Sequence, residues 1–187
     1  MTHLQKEGFN IINNVYSNKE IESILTYIYD NQIQQKFGVR YFLKSHPRLL
    51  PILLNSKLKK TIKAISPKAK IIKSIYFDKP PHANWIVNWH QDLTINVNGK
   101  TEEKNFKNWR ILKDRTVVQP PLSILENIFT IRIHLDDCTK ENGALRVIPK
   151  SHLSGIIQIG NGIDEYLKDE TILEVQKGGI LIMKPLI

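Results

Sequence analysis

The feature that most constrains the fold is a change of pattern near residue 70. Before it, apolar residues recur at helical spacing; after it, short β-forming segments alternate with turns rich in Gly, Pro, Asn and Asp. Helices first and many short strands afterwards are typical of an α+β protein whose strands form a sandwich or a barrel. The 187 residues suit a single domain. We divide it into a helical part, 1–68, and a strand-rich part, 69–187.

The clearest predicted helix covers residues 18–31. The sequence from Ser17 to Glu20 fits a capping box, in which each side chain bonds the backbone N–H of the other residue. Apolar residues then follow at helical spacing: Ile21, Ile24, Leu25 and Ile28. Two more helices are expected, through 49–54 and 57–65.

In the strand-rich part we predict strands at 71–77, 85–92, 128–135, 144–148 and 179–183. The polar, Pro-containing stretch 96–123 is predicted to be a long loop. Loops of that length in compact domains are more often functional than not, so this one is expected to form a lid or a substrate wall. Trp109, Arg110 and Arg115 are its candidate contacts, with a solvated surface loop as the simpler interpretation.

The net charge of +9 raises the question of a polyanionic partner. All of the excess falls in residues 1–80, with 14 basic and 5 acidic side chains, and most of it is lysine. Lys, Ile and Asn are enriched together, as they are in proteins from AT-rich genomes. Composition drift therefore accounts for the charge better than nucleic-acid binding does.

Other exclusions follow from the apolar runs and the cysteine count. No run approaches the ~18 residues needed to cross a bilayer, and the first residues lack the pattern of a secretory signal. The single cysteine, Cys138, cannot form an internal disulfide. We therefore expect a cytoplasmic protein with no membrane partner. The oligomeric state is left open.

A metal-site pattern occurs at His90-Gln91-Asp92. Non-haem Fe(II) that activates oxygen is held on one side by two histidines and a carboxylate. Residues i and i+2 of a strand share a face, so one strand supplies two of these ligands while Gln91 points the other way. His134-x-Asp136 has the same spacing, and spacing alone does not separate the two pairs. For His134 we prefer a structural interpretation, a strand residue followed by an acid that opens a turn. His90 also has a structural interpretation, a hydrogen-bonded histidine at the end of a strand.

The surroundings of His90 favour the first pair. Along the chain, in order, lie Asp78-Lys-Pro-Pro, Asn84-Trp, Trp89-His-Gln-Asp-Leu-Thr, Arg132-Ile-His-Leu-Asp-Asp-Cys, Glu141-Asn-Gly-Ala-Leu-Arg-Val-Ile-Pro, Ser151-His and Gly179-Ile-Leu-Ile-Met-Lys-Pro-Leu. This series resembles the phytanoyl-CoA dioxygenase family, especially its bacterial members. The resemblance is strong from about Ile71 to Ile187 and weak before that.

The resemblance implies a double-stranded β-helix, or jelly-roll, core and an Fe(II)- and 2-oxoglutarate-dependent dioxygenase that uses O2 to hydroxylate a small organic substrate. It makes His90 and Asp92 two of the metal ligands. The residues it implies at the cosubstrate or pocket wall are Gln91, Arg132, Arg40 and Ile75. Ile75 is otherwise a core residue, and the two arginines are otherwise surface ion-pair residues.

The resemblance also predicts what these 187 residues do not include. The third ligand, a histidine, is expected two positions beyond Ile187, and an arginine that grips 2-oxoglutarate lies further on. A chain ending at residue 187 is therefore expected to lack the closing strands of the jelly roll, to leave a hydrophobic strand edge unpaired, and to bind 2-oxoglutarate too weakly to measure. The alternative, if 187 is the true terminus, is a non-catalytic jelly-roll binding module.

Overall fold

The computed structural model describes residues 1–35, 37–78, 87–158 and 167–187, and the statements below concern those residues. The α-helices are α1 His3–Glu7, α2 Asn18–Asp30, α3 Phe42–Ser45, α4 Leu50–Leu53, α5 Ser56–Ile65 and α6 Leu122–Leu125. Short 3-10 helices lie at Ile33–Gln35, Pro47–Leu49 and Ser151–Ser154. The strands are β1 Phe9–Ile12, β2 Gly38–Arg40, β3 Ile75–Phe77, β4 Ile95–Val97, β5 Lys107–Ile111, β6 Thr116–Gln119, β7 Thr130–Ile133, β8 Leu145–Val147, β9 Thr171–Leu173 and β10 Ile180–Met183. The mixture of helices and sheets is as predicted.

Helix α2 confirms its predicted capping box. The Ser17 N–H donates to the Glu20 carboxylate at 2.8 Å, and the Glu20 N–H donates to the Ser17 hydroxyl at 3.3 Å. The amide of Asn55 donates to the other Glu20 carboxylate oxygen at 3.0 Å, so the start of α2 is also tied to the start of α5. Its apolar side is fully buried, at Ile21, Ile24 and Ile28.

Three antiparallel strands in the order β1-β10-β7 form the central sheet. Alternation along β10 divides the core into two layers, because successive side chains point to opposite faces. Ile180 and Ile182 pack with the helices, in the helix-side layer. Leu181 and Met183 pack with Val147 and residues of β1 and β9, in the layer on the other face. We call that second surface the inner face.

Strand β10 is the most buried element of the sheet. All four of its residues are buried, and it pairs with β1 along one edge and with β7 along the other. The expectation of an unpaired edge on this strand is therefore wrong. Phe9–Ile12, for which no element was predicted, covers one of these edges.

The turn into β10 requires glycine at position 178. Gly178 has φ +78°, and a Cβ there would lie 2.6 Å from the Tyr16 carbonyl oxygen. The close approach lets the Tyr16 N–H donate to the Gly178 carbonyl at 2.9 Å. This bond fixes the start of β10 against the chain that leads into α2.

Two predictions about the strand-rich part are wrong. Residues 96–123 are not one loop, because β4, β5 and β6 within and beside them form an antiparallel sheet in the order β4-β6-β5. The predicted strand 85–92 is absent where it can be checked, because residues 87–94 are irregular. Its first two residues belong to 79–86, which lies outside the described residues. The other predicted strands are present but shorter, and β2 and β9 were not predicted.

Within the described residues, no helix is both long enough and apolar enough to span a bilayer.

Candidate functional site

The segment 87–94 carries the first His-x-Asp pair and lies against the residues that follow β10. The segment does not form a β-strand, but it is tied to the residues after β10 because the Asp92 N–H donates to the Pro185 carbonyl at 2.8 Å. Side chains nevertheless alternate as expected: His90 and Asp92 are exposed, and Gln91 between them is half-buried. The predicted sharing of one side by His90 and Asp92 thus agrees with their exposure, although the expected strand is absent.

The ring of His90 is held in an orientation that suits a metal ligand. Its Nδ1 lies 2.8 Å from the Asn88 carbonyl oxygen. When Nδ1–H donates to that carbonyl, Nε2 keeps its lone pair and faces outward. Histidines that bind metals almost always donate their other ring N–H to a carboxylate, a carbonyl or water in this way. The donor set at His90 and Asp92, one imidazole nitrogen and one carboxylate, therefore fits two positions of an Fe(II) site.

Gln91 joins three segments that are far apart in sequence. Its amide nitrogen donates to the Gly155 carbonyl at 2.9 Å and to the Leu186 carbonyl at 2.6 Å. Its amide oxygen accepts from the Ile157 N–H at 2.8 Å. Both ends of this half-buried side chain are thus bonded to backbone. Its observed contacts hold the His90–Asp92 segment in place.

Arg132 lies on the inner face of the central sheet, because it pairs directly with Leu181. Its side chain is accessible to solvent although protein surrounds it on most sides. Burial lowers the pKa of Arg132, while the negative charges of Asp92 and Cys138 act in the opposite direction. Arg132 and Asp92 are therefore close enough to interact electrostatically, and no ion pair within 4.0 Å joins them among the described residues.

His134, from the second His-x-Asp pair, follows Arg132 by two residues and points to the same face by alternation. Its Nε2 is buried and has no hydrogen-bond partner within the described ranges. Burial, and to a smaller extent the Arg132 cation, lower the pKa of His134 from 6.5 to about 4. The imidazole is thus enclosed and neutral at pH 7, unlike the outward-facing ring of His90.

Because of this lowered pKa, the free energy of unfolding depends on pH. The unfolded imidazole takes up a proton near pH 6.5 and the folded one only near pH 4, so stability present above pH 6.5 is lost as the pH falls between these values. We expect His134 to account for a loss of up to about 3 kcal/mol in the free energy of unfolding from pH 7 to pH 4. Urea unfolding of His134→Gln should fall less steeply over that range; an equally steep fall would contradict this account.

Arg40 and Ile75 are cross-strand partners in a separate two-stranded sheet, β2-β3. Their neighbours Val39 and Tyr76 pack against the helix-side layer, so Arg40 and Ile75 point away from it. The structure therefore brings these two candidates together with each other. It records no contact between them and His90 or Asp92.

The remaining candidates lie on the sheet β4-β6-β5. Trp109 and Arg110 are on β5, and Arg115 lies in the turn between β5 and β6. Two residues near the site were not predicted: Asn88, whose carbonyl orients His90, and Arg146, whose guanidinium lies 5.6 Å from the centre of the Trp89 ring. Backbone groups such as Asn88 O carry no residue-type signal, so a motif cannot reveal them.

The described part of the chain offers no third candidate metal ligand beside His90 and Asp92. Groups of three or more His, Cys, Asp or Glu residues able to hold a metal are absent there. The described residues thus supply a pair of donors, with Arg132 nearby as a cation.

Solved structures with this fold were crystallised with iron or with 2-oxoglutarate. HygX from Streptomyces hygroscopicus, with nickel and 2-oxoglutarate bound, is 14% identical with a TM-score of 0.58 over 98% of this chain and 74% of its own. EvdO2 from Micromonospora carbonacea var. aurantiaca, complexed with 2-oxoglutarate, is 16% identical with a TM-score of 0.60 over 97% and 78%. EctD from S. alaskensis, with bound Fe, is 11% identical with a TM-score of 0.64 over 98% and 66%.

The amino-acid sequence identifies the protein family to which this chain belongs. The family model described as phytanoyl-CoA dioxygenase (PhyH) matches residues 4–187, so the chain belongs to the phytanoyl-CoA dioxygenase family. This family depends on Fe(II) and 2-oxoglutarate and uses O2. The comparison with curated protein sequences gave no match.

Proposed function

We propose that this protein is an Fe(II)- and 2-oxoglutarate-dependent dioxygenase that hydroxylates a small organic substrate on a jelly-roll core, with His90 and Asp92 as two of the metal ligands. One observation carries the proposal: in a chain of this family, two exposed donors, the His90 ring with its Nδ1 bonded to backbone and the Asp92 carboxylate, flank the anchored Gln91. HygX bound to nickel, 2-oxoglutarate and hygromycin B is a relative crystallised with a small molecule of this general kind.

Bound Fe(II) would supply the oxidation: with 2-oxoglutarate and O2 the products would be succinate, CO2 and a substrate with one oxygen atom inserted into a C–H bond. The chain's own residues must hold the metal, attract the cosubstrate and limit access of water. His90 and Asp92 perform the first task. The Asn88 carbonyl keeps the imidazole in the required orientation, since it accepts the Nδ1–H.

Arg132 is suited to the second task. Its guanidinium lies on the inner face, close enough to Asp92 to interact with it electrostatically, and no acid pairs with it within 4.0 Å in the described segments. An arginine binds a carboxylate through two parallel hydrogen bonds, each typically worth about 1.5–3 kcal/mol. We assign Arg132 a 2-oxoglutarate carboxylate. Leu181 and Val147 supply apolar surface on the same face.

The roles of Gln91, Arg40 and Ile75 are part of the same proposal. Gln91 supports the cosubstrate site by holding the ligand segment against Leu186, and Arg40 and Ile75 form a more distant wall of the pocket. The third ligand and the second 2-oxoglutarate-binding arginine of the family have no counterpart among the described residues.

Turnover of the cosubstrate tests the proposal. The protein as the cell makes it, with any sequence that follows Ile187, should convert 2-oxoglutarate to succinate only when Fe(II) and O2 are present. Asp92→Asn should reduce this rate at least a hundredfold, because a neutral amide replaces a charged metal ligand. Asp30→Asn, an exposed carboxylate at the end of α2, is the matched control and should retain the full rate. Fe(II)-dependent turnover that survives Asp92→Asn would overturn the assignment.

A further inference from the structure

A polar cleft of about 660 Å³ lies between the chain that follows β2 and the sheet β4-β6-β5. One wall includes Tyr41, Lys44 and Ser45, and the other includes Asn98, Asp114 and Arg115. The volume falls within the range of roughly 300–1,000 Å³ that is usual for small-molecule sites. Most such sites are lined mainly by apolar groups, so the hydroxyl, amide and charged groups here indicate a polar ligand.

Of the charged side chains that line the cleft, Lys44 is the one without an ion pair among the described residues. The Arg115 guanidinium donates to both carboxylate oxygens of Asp114, at 2.7 and 2.8 Å, and its side chain is only 19% exposed. These two charges therefore satisfy each other. Lys44 has no ion pair in the described part of the chain, and its Nζ lies over the Tyr41 ring, 6.0 Å from the centre. A negative group that enters the cleft would meet Lys44 without a competing acid.

The backbone at Tyr41 is arranged around the cleft. Tyr41 has φ 53° and ψ 30°, a left-handed conformation that bulky residues seldom adopt. In this conformation its hydroxyl donates a long hydrogen bond, 3.5 Å, to the Asp114 carbonyl oxygen on the opposite wall. The strained residue thus makes a contact between the two walls. Strain of this kind is concentrated at ligand-binding sites.

The cleft is also within reach of the proposed metal ligands. Val97, the last residue of β4, lines it, and Asp92 is five residues earlier. At about 3.3 Å per residue the two Cα atoms are at most ~17 Å apart. On the other wall, Tyr41 follows Arg40 directly. A small molecule that extends from the cleft would therefore approach the site of oxidation with its far end.

We propose that this cleft anchors the anionic end of the substrate, a carboxylate or a phosphate on a hydroxylated small molecule, with Lys44 as its charge partner. Ser45 and Asn98 are exposed at the walls and supply hydrogen bonds to the hydroxyl groups. The description of the ligand as a substrate rests on the proposed function; the binding of the anion does not. Contacts remote from the reacting carbon are a usual source of orientation in catalysis.

The experiment measures binding by calorimetry, with the whole protein, EDTA present and no 2-oxoglutarate. Gluconate and glucose 6-phosphate are the anionic probes, and glucose is the uncharged control. We expect at least one acid to bind, glucose to bind at least tenfold more weakly, and Lys44→Met to weaken the acid about fivefold or more. Lys59→Met, an exposed lysine of α5, is the matched control and should leave binding unchanged.

The two acids distinguish the carboxylate from the phosphate. Absence of binding by both at 10 mM, equal binding of glucose, or equal effects of the two lysine substitutions would each overturn the proposal. Because metal and cosubstrate are left out, failure here leaves the Fe(II)-dependent turnover test untouched. Loss of turnover in every variant and in the parent protein would instead count against the proposed function.

Discussion

Alanine at His90 should lower the affinity of the protein for Mn(II), an air-stable substitute for Fe(II), by tenfold or more, whereas alanine at His134 should leave it unchanged. His90 offers an outward-facing Nε2 beside the exposed Asp92 carboxylate. The Nε2 of His134 is enclosed by protein. Losing one of the two proposed donors would remove a metal–ligand bond, and even substitutions of residues that only support a ligand typically weaken binding 10–100-fold.

Calorimetric titration of Mn(II) into the parent protein and the two variants checks this result. Thermal unfolding of each variant in the absence of metal serves as the control, since a variant that unfolds gives no information about ligands. If His134→Ala removes the metal while His90→Ala keeps it, the second His-x-Asp pair is the site. The assignment of His90 and Asp92 would then be wrong.

Gln91→Met should lower the free energy of unfolding by about 2–4 kcal/mol, although methionine has nearly the same length and volume. Methionine makes none of the three bonds of the amide, so the Gly155 and Leu186 carbonyls and the Ile157 N–H all lose a partner. A buried backbone group left without a partner typically costs about 1–3 kcal/mol, and partial exposure here keeps the sum at the lower end. Urea unfolding measures the difference.

Gln176→Met is the matched control, because Gln176 is exposed and its side chain makes no hydrogen bond within the described residues. It should change the free energy of unfolding by less than about 0.5 kcal/mol. Hydrogen exchange should also show faster exchange of the Ile157 and Asp92 amides in Gln91→Met. A loss below 1 kcal/mol, or the same loss in both variants, would mean that the three bonds do not hold the segment.

Local patterns in the sequence were enough to predict some features. The capping box from Ser17 to Glu20 places all of its partners within three residues, and the structure contains it as predicted. The burial of Gln91 between two more exposed neighbours also agrees with the predicted alternation, although the segment is not a strand. The mixture of helices and strands follows from the same local periodicities.

Features that depend on distant partners were not predicted. Phe9–Ile12 is a strand because it pairs with β10, and a segment of four residues carries no sequence signal for a partner so far along the chain. The sheet formed by β4, β5 and β6 was taken for a loop, since β5, with the sequence KNWRI, is mostly exposed and its polar residues resemble those of a connection. Likewise, the three partners of Gln91 lie 64 to 95 residues further along the chain.

The pairing of β1 with β10 has a consequence for how the protein is made. The strand that pairs with Phe9–Ile12 is synthesised about 170 residues after it. Contacts of such large sequence separation form slowly, because most of the chain must be ordered before they can close. During translation the apolar β1 therefore lacks its partner strand, and its backbone groups cannot form those hydrogen bonds. The central sheet can be completed only after the segment 180–183 has left the ribosome.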